Sequence, residues 1–181
     1  MAAYLAFEVI NHEPGINQDD KKAHMVDRDS IKGHIEFKNV NFIYPSKKDQ
    51  IILKNFNCVF EAGKTTALVG PSGSGKSTII QCLERYYDPA EGEILIDGRP
   101  MKDINLTSLR QVIGYVGQEP VLLNCSIKEN MLFAKPDAKD NEIEEALKSA
   151  NAWDFIEDKM GSQGINAQVG GAGSSLSGGQ K

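Results

Sequence analysis

Hydrophobic and polar residues alternate early in the domain, and the alternation predicts short strands. Ile35 and Phe37 have polar neighbours, and so do Phe56, Cys58 and Phe60. Side chains that point to one face at every second position are typical of a half-buried strand. Further β-prone runs predict strands at residues 65–69, 94–96 and 112–116. The run at 94–96 ends in an Asp-Gly pair, which is a strong hairpin signal.

Two segments show helical spacing instead. Residues 77–87 place Ile79, Ile80 and Leu83 on one face, which predicts an amphipathic helix. A later helix is predicted to be capped by Asp140 or Asn141, since both side chains accept hydrogen bonds from a helix N-terminus. Its apolar face consists of Ile143, Ala146, Leu147 and Ala150. Strands early in the chain and helices later predict an α/β domain with a helical insertion.

The first 33 residues have a different pattern. A short amphipathic stretch is followed by the polar tract Asn11–Lys32, which contains Pro14 and Gly15. Such composition is typical of a linker. We therefore expect a linker at 1–33 and a domain at 34–181.

Composition excludes several classes of function. The chain has 40% hydrophobic and 25% charged residues and a net charge of -5, as in an ordinary globular domain. No basic block is present that would favour nucleic acid as a partner. Three scattered cysteines argue against a disulfide framework or a zinc site. No run approaches the ~20 apolar residues of a membrane span, so we expect no direct membrane insertion by this segment.

The strongest motif is a glycine-rich segment that follows a β-prone run and opens a predicted helix. It matches the template G-x-x-x-x-G-K-[ST], and it contains Gly70, Pro71, Ser72, Gly73, Ser74, Gly75, Lys76, Ser77 and Thr78. Glycines let consecutive backbone N–H groups converge on an anion, and the helix dipole favours negative charge at the same place. Lys76 adds a charge that reaches the β- and γ-phosphates, and the Ser77 hydroxyl suits Mg²⁺. The segment predicts binding of a nucleoside triphosphate, ATP, with Mg²⁺.

Tyr44 is a second candidate, and taken alone it has two readings. Its ring could stack on a purine, an interaction worth ~1–3 kcal/mol. An aromatic at a strand edge more often packs against hydrophobic neighbours.

The segment Leu176-Ser-Gly-Gly-Gln180 changes the picture. Together with the glycine-rich segment, it resembles the nucleotide-binding domain of ATP-binding cassette (ABC) transporters, whose signature is Leu-Ser-Gly-Gly-Gln. The resemblance covers nearly the whole chain. It is closest to the first such domain of P-glycoprotein-type (multidrug resistance) exporters, whose last transmembrane helix ends in a segment similar to Tyr4–Ile10.

The resemblance implies a fold and a set of roles. The fold would be a P-loop NTPase core with an antiparallel β subdomain (34–117), then a glutamine loop and helical subdomain (118–181). Tyr44 would stack on adenine, and Gln118 would contact Mg²⁺ and sense the γ-phosphate; Lys76 and Gln118 are the implied catalytic residues. Two such domains would close head to tail around ATP. The residues implied to contact ATP on the partner domain are Leu176, Ser177, Gly178, Gly179 and Gln180.

The resemblance also implies partners and a location. The domain would work with a second nucleotide-binding domain and with the transmembrane domains of one exporter, at the cytoplasmic face of the membrane. ATP binding and hydrolysis there would drive transport of small amphipathic molecules.

Two departures from the family pattern matter. Gly171 stands where the exporters usually have a glutamate, which puts coupling through this position in doubt. The family's aspartate strand, catalytic glutamate and switch histidine follow the signature and are absent from these 181 residues. We therefore expect the isolated chain not to hydrolyse ATP at a useful rate and to leave strands unpaired.

Three alternatives stay open at this point. A soluble ABC protein of translation or repair would carry the same motifs. A P-loop kinase could use Asp97 for catalysis, although the Asp-Gly pair favours a hairpin role. A non-catalytic, truncated ATP-binding product is the third.

Overall fold

The chain forms two compact units, Met1–Gly114 and Tyr115–Lys181. In this computed structural model, the residues that the structure describes are 2–12, 14–18, 20–118, 120–169, 176–177 and 179. We call the two units unit 1 and unit 2.

Unit 1 contains a four-stranded antiparallel sheet and several short helices. Its elements along the chain are α1 (Ala2–Ile10), β1 (Ile35–Ile43), β2 (Ile51–Phe60), α2 (Lys76–Leu83), β3 (Glu91–Ile96), β4 (Arg99–Pro100), a 3-10 turn (Met101–Asp103) and α3 (Leu106–Val112). The strand order is β2–β1–β3–β4, and each neighbouring pair is antiparallel. β1 therefore pairs on both sides and forms the middle of the sheet.

One apolar core joins this sheet to α2 and α3. Phe37, Val40 and Phe42 of β1 are almost completely buried. They share a face although they do not keep strict alternation, because the register shifts between Phe37 and Val40, where Asn39 has a φ of 50°. The other buried members are Leu53, Ile79, Cys82, Ile94, Ile96, Met101, Ile104 and Leu109. The helix that follows the glycine-rich segment is thus anchored on the sheet.

The strand predictions have mixed outcomes. The alternating runs form β1 and β2, and residues 94–96 end β3, so these three predictions are confirmed. The strands predicted at 65–69 and 112–116 are wrong. Val112 ends α3, and neither run belongs to a described strand; Val69 and Val116 are 91% and 92% exposed. A β-prone run forms a strand only where a neighbour completes its hydrogen bonds, and no described strand pairs with these runs.

Asp97 lies in the hairpin between β3 and β4, as the Asp-Gly pair predicts. Asp97 and Gly98 have φ values of 50° and 81°, which are those of a tight hairpin turn. The Asp97 carboxylate also accepts hydrogen bonds from the backbone N–H groups of Lys32 (2.7 Å), Gly33 (3.3 Å) and His34 (2.9 Å). Burial acts to raise the pKa of Asp97, but these N–H groups hold it below its usual value. Because the Asp97 carboxylate is hydrogen-bonded within the turn, the structure does not support the hypothesis of a kinase that uses Asp97 for catalysis.

Part of the predicted linker is hydrogen-bonded to other segments of unit 1. The His24 N–H donates to the Asp103 carbonyl, and the Asn105 N–H donates to the His24 carbonyl, both at 2.8 Å. The Val26 N–H donates to the Ser108 hydroxyl at 3.2 Å. His24 and Val26 are therefore bonded to the start of α3 and the turn before it, and residues 32–34 are bonded to the β3–β4 hairpin. The predicted boundary at residue 33 stays a prediction.

Unit 2 is helical. Its elements are α4 (Ile127–Leu132), α5 (Asp140–Ser149), α6 (Trp153–Met160) and a 3-10 segment (Gly161–Asn166). Its buried core consists of Ile127, Ile143, Leu147, Ile156, Val169 and Leu176. The helix predicted near residue 140 is confirmed as α5, and it enters the core through two of the four residues predicted for its apolar face.

The cap predicted for α5 is wrong. Asp140 and Asn141 both lie inside the helix, and Lys139 occupies the cap position. The Glu142 carboxylate accepts the Lys139 backbone N–H at 2.9 Å. The Glu142 side chain, inside the first turn, therefore satisfies the backbone N–H of the cap residue. A search of the sequence for an Asp or Asn cap does not reveal this interaction.

The apolar N-terminal helix is short. In α1, Tyr4, Phe7, Val9 and Ile10 are exposed. Within the described residues, no helix has the length and apolar character that crossing a bilayer requires.

Candidate functional site

The glycine-rich segment turns sharply into α2. The helix begins at Lys76, and Gly75 occupies its N-cap position with a φ of 88°; Gly73 has a φ of 79°. A Cβ on Gly75 would lie 2.8 Å from Leu53 Cδ2 on β2. The left-handed backbone therefore favours glycine at position 75, and a Cβ there would also force the end of the buried Leu53 side chain to shift.

Lys76 folds back over the loop. Its ammonium group donates to the carbonyl oxygens of Gly70 and Pro71, each at 2.8 Å, and to the Ser74 hydroxyl at 3.3 Å. An ammonium group has three donors and no acceptor, so these oxygens match its capacity. The positive charge is thereby held at the rim of the loop, next to the N-terminus of α2.

Ser77 and Thr78 are adjacent but have different environments. Ser77 is exposed, so its hydroxyl is accessible to a ligand. The Thr78 side chain is only 4% exposed, and its Oγ1 lies 2.9 Å from the Tyr44 hydroxyl. The Thr78 hydroxyl is therefore engaged with Tyr44. The nucleotide contact expected of Thr78 stays a prediction.

Tyr44 follows the end of β1 and reaches α2. Its ring packs edge-on with Phe42 and Tyr87, at centroid distances of 4.9 and 5.4 Å. Its hydroxyl donates to Gln81 Oε1 at 2.8 Å. The ring therefore packs on aromatic neighbours, as one interpretation of the sequence expects. Stacking of Tyr44 on adenine stays a prediction. Gln81 carries no motif signal, and sequence reasoning did not identify it.

The far end of α2 is fixed to α3. The Arg110 guanidinium donates to the Glu84 carbonyl through two nitrogens, at 3.0 and 2.9 Å. Its carbon lies 5.1 Å from the centre of the Tyr86 ring. Burial raises the pKa of the Glu84 carboxyl, and Arg110 opposes that rise. Burial also raises the pKa of the Cys82 thiol to about 12, so Cys82 is a protonated core side chain.

The donor set of unit 1 fits a polyphosphate with Mg²⁺. The loop offers glycine backbone without obstructing side chains, the first N–H groups of α2 and the Lys76 charge, which together favour an anion. An exposed Ser77 hydroxyl suits a hard cation that keeps phosphate and water ligands. Among the described residues, no three His, Cys, Asp or Glu side chains form a cluster that could hold a metal.

In unit 2, the structure separates the residues of the predicted signature. Leu176 is 9% exposed and belongs to the helical core of unit 2. Its expected contact with the partner's nucleotide stays a prediction. Ser177 and Gly179 are exposed. Gly178, Gln180 and Gly171 lie outside the described residues.

Gln118 is exposed near the start of unit 2. The segment after it is organised by Asn130, whose side chain accepts the Leu123 N–H at 2.8 Å and donates to the carbonyls of Leu123 and Ser126. Ser126 caps α4 in a reciprocal box with Glu129.

Unit 2 also carries an open apolar groove of about 580 Å³. Its lining residues are Leu123, Cys125, Glu129, Leu132, Phe133 and Pro136. Phe133 is 71% exposed, which is unusual for a large aromatic side chain. We call this surface the Phe133 groove.

The comparisons with known proteins agree with the geometry of the loop. Residues 53–181 match the family described as ABC transporter. The chain belongs to the ABC transporter family. Its fold is therefore the ABC ATPase fold, and the expectation drawn from Leu176–Gln180 and the glycine-rich segment is confirmed.

Several full-length relatives of this ABC transporter chain are similar over all or nearly all of it. ABC transporter B family member 1 of Arabidopsis thaliana is 50% identical over 181 residues, which are 100% of this chain and 14% of that protein. ABC transporter B family member 3 of Dictyostelium discoideum is 47% identical over 180 residues, 99% of this chain and 12% of that protein. The chain thus spans only 14% and 12% of the length of these two relatives.

A solved structure shows the same architecture. The bacterial structure titled "Structure of a bacterial Atm1-family ABC exporter with ATP bound" superposes with a TM-score of 0.87 and 37% sequence identity. The match covers 99% of this chain and 30% of that chain. Residues 65–69 and 113–116, which lie in none of the described strands, therefore belong to a chain with the ABC ATPase fold.

Proposed function

We propose that this chain is the ATP-binding portion of an ABC exporter, in which ATP binding and hydrolysis drive transport across a membrane. One observation carries the proposal: Lys76, the left-handed glycines and the N-terminus of α2 lie together at one loop, an arrangement that favours an anion. The B family relatives and the ATP-bound exporter structure support the same assignment.

In this mechanism, the loop binds the triphosphate through its backbone N–H groups and the α2 dipole. Lys76 exchanges its carbonyl partners for β- and γ-phosphate oxygens, which are stronger acceptors because they are charged. The Ser77 hydroxyl and the Gln118 amide are the proposed metal ligands. Mg²⁺, when bound, would neutralise part of the negative charge of the phosphates.

The proposed partner is a second nucleotide-binding domain. Ser177 and Gly179 are exposed on unit 2, and we assign them, with Gly178, to the γ-phosphate of ATP held by that partner. Tyr44 is assigned to the adenine ring. Closing around ATP and opening after hydrolysis would then shift the population of transporter conformations.

We assign the Phe133 groove to the transmembrane part of the same exporter, at the cytoplasmic face of the membrane. An exposed aromatic in an apolar groove is typical of a site that receives another protein segment. In the full-length transporter, Phe133→Asp should lower transport severalfold, whereas the 181-residue chain with the same change should bind Mg-ATP within twofold of wild type. Unchanged transport by the Phe133→Asp transporter would contradict the assignment of the Phe133 groove.

The main proposal is tested by the affinity of the purified chain for a fluorescent ATP analogue, with and without Mg²⁺. Circular dichroism should first establish that the protein is folded. We expect saturable binding that Mg²⁺ strengthens and that unlabelled ATP displaces. A folded protein without Mg²⁺-dependent affinity would refute the proposal.

A further inference from the structure

The hydroxyl of Tyr44 takes part in a small side-chain network on α2. It donates to Gln81 Oε1 at 2.8 Å and lies 2.9 Å from Thr78 Oγ1. A phenol has a single proton, and that proton is used toward Gln81. The Thr78 hydroxyl therefore donates to the Tyr44 oxygen.

The two partners lie three positions apart on α2, so their side chains share one face of the helix. Gln81 is half-buried, and Thr78 is buried. Hydrogen bonds in such surroundings are better protected from water than bonds on an open surface. The network therefore fixes the phenol end of Tyr44 relative to α2.

The other end of the same ring is also constrained. Phe42 and Tyr87 pack against it nearly at right angles, with interplanar angles of 85° and 89°. Edge contacts of this kind restrict the position of the Tyr44 ring, but they determine its rotation within the plane of the ring only weakly. The two hydrogen bonds of the hydroxyl restrict that rotation, because they fix the position of the phenol oxygen.

The network also connects two parts of the site. Tyr44 is the residue assigned to adenine, whereas Thr78 lies in the first turn of the helix whose N-terminus is assigned to phosphate. We propose that Gln81 is a positioning residue that sets the affinity for the adenine part of the nucleotide by holding the Tyr44 ring. This inference rests on the proposed function, and neither the motifs nor the family resemblance gives Gln81 a role.

A substitution at Gln81 should therefore act on base recognition and not on phosphate binding. Gln81→Leu keeps similar volume but removes the acceptor, which leaves the phenol proton without its partner. We expect the affinity for Mg-ATP to fall about fivefold to tenfold, while the affinity for inorganic tripolyphosphate with Mg²⁺ stays within twofold. Gln81→Glu retains an acceptor oxygen and should restore most of the adenine-dependent affinity.

A cycle with Tyr44→Phe identifies the route of the effect. Tyr44→Phe removes the hydroxyl and keeps the ring, so it should lower Mg-ATP affinity by a similar factor. In that background, Gln81→Leu should have no further effect, because the interaction that it removes is already absent. If Gln81→Leu folds poorly, Tyr44→Phe still tests the network, because it removes the hydroxyl and keeps the ring and should nevertheless lower Mg-ATP affinity.

The two possible failures can be told apart. If the wild-type chain binds neither ATP nor tripolyphosphate, the proposed function itself is refuted, and this inference with it. If the wild-type chain binds both, the inference alone is overturned by any of three results: an equal loss of both affinities in Gln81→Leu, no loss of either, or full additivity with Tyr44→Phe. An equal loss would show that Gln81 is a structural residue of α2.

Discussion

The Lys76 side chain has two roles that use the same three donors. In this structure its ammonium group is bound to loop oxygens of Gly70, Pro71 and Ser74. It therefore holds the loop in a curled shape and keeps a charge where phosphate oxygens would arrive. Neutral carbonyls are weaker partners than phosphate, so exchange on binding is favourable.

Removing this side chain should weaken ATP binding strongly. We expect Lys76→Ala to lower Mg-ATP affinity at least ~10-fold, since a hydrogen bond to a charged group contributes about 1.5–3 kcal/mol. Lys64→Ala is the matched control, because exposed Lys64 pairs only with exposed Glu61 in the described contacts. Calorimetric titration measures both variants. Equal affinities for Lys76→Ala and wild type would contradict the role of Lys76.

Asp97 should make unit 1 sensitive to acid. Its folded pKa is lowered from 3.8, so its contribution to stability is present above the unfolded pKa of about 3.9 and is lost as pH falls through the folded value. We expect Asp97→Asn to cost about 1 kcal/mol at pH 7, less than three full hydrogen bonds because the carboxylate is exposed. Urea unfolding measures the difference.

The pH dependence separates the charge of Asp97 from its place in the turn. The stability difference between wild type and Asp97→Asn should begin to shrink below about pH 4, where Asp97 of the unfolded chain takes up a proton, and it should disappear only when the folded carboxylate is also protonated. Asp49→Asn, at an exposed turn position, is the control and should show little difference at any pH. A constant difference for Asp97→Asn down to pH 2 would show that charge is not the cause.

At the scale of elements, the turn into α2 depends on glycine more strongly at position 75 than at position 73. Gly73 and Gly75 both have positive φ, but only a Cβ on Gly75 would approach another residue, at 2.8 Å from Leu53 Cδ2. Gly73→Ala should therefore cost about 1 kcal/mol from backbone strain alone, and Gly75→Ala should cost about 1–2 kcal/mol more. Thermal unfolding of the two variants tests this order, and equal losses would contradict it.

The elements also show what local pattern can predict. Each of β1, β2 and β3 packs on the same core. The alternating runs at the start of β1 and the end of β2 report its buried face, whereas the buried residues of β3 are consecutive, at 94–96. Residues 65–69 and 112–116 have the same strand propensity, but propensity does not report whether a neighbouring strand is present. The wrong predictions therefore concern runs whose pairing partner is not among the described strands.

The candidate site divides in the same way. The phosphate loop was predictable because its contacts are local, with Lys76 reaching back five and six residues. The bond from Tyr44 to Gln81 spans 37 positions, and the bond from Lys32 to Asp97 spans 65. Contacts at such separation leave no periodic signal in one sequence, so they follow only from the fold.

At the scale of the whole molecule, the signature segment combines a core anchor with an exposed edge. Leu176 is buried with Ile143, Ile156 and Val169, whereas Ser177 and Gly179 are exposed. The resemblance implied nucleotide contacts for all five residues of the motif, and it did not show that the first of them is a core residue. The buried leucine fixes the position of the exposed small residues that follow it and leaves room for another surface to approach them.

This arrangement predicts separate effects on ATP binding and on assembly. Ser177→Arg places a large side chain on an exposed position, so unit 2 should keep its fold, and the chain should bind Mg-ATP within about twofold of wild type. Association of two chains in a slowly hydrolysed ATP analogue should weaken at least ~10-fold, or 1.4 kcal/mol, because the arginine would meet the partner's surface.

Sedimentation velocity with and without the analogue measures that association. Ser162→Arg is the matched control, since it makes the same change at another exposed serine of unit 2 and should leave association intact. Wild-type chains that stay monomeric with saturating analogue, or Ser177→Arg chains that associate as wild type does, would refute the proposed role of the exposed edge. Loss of association in Ser177→Arg alone would support it, because the nucleotide would still be bound while the second surface could no longer close on it.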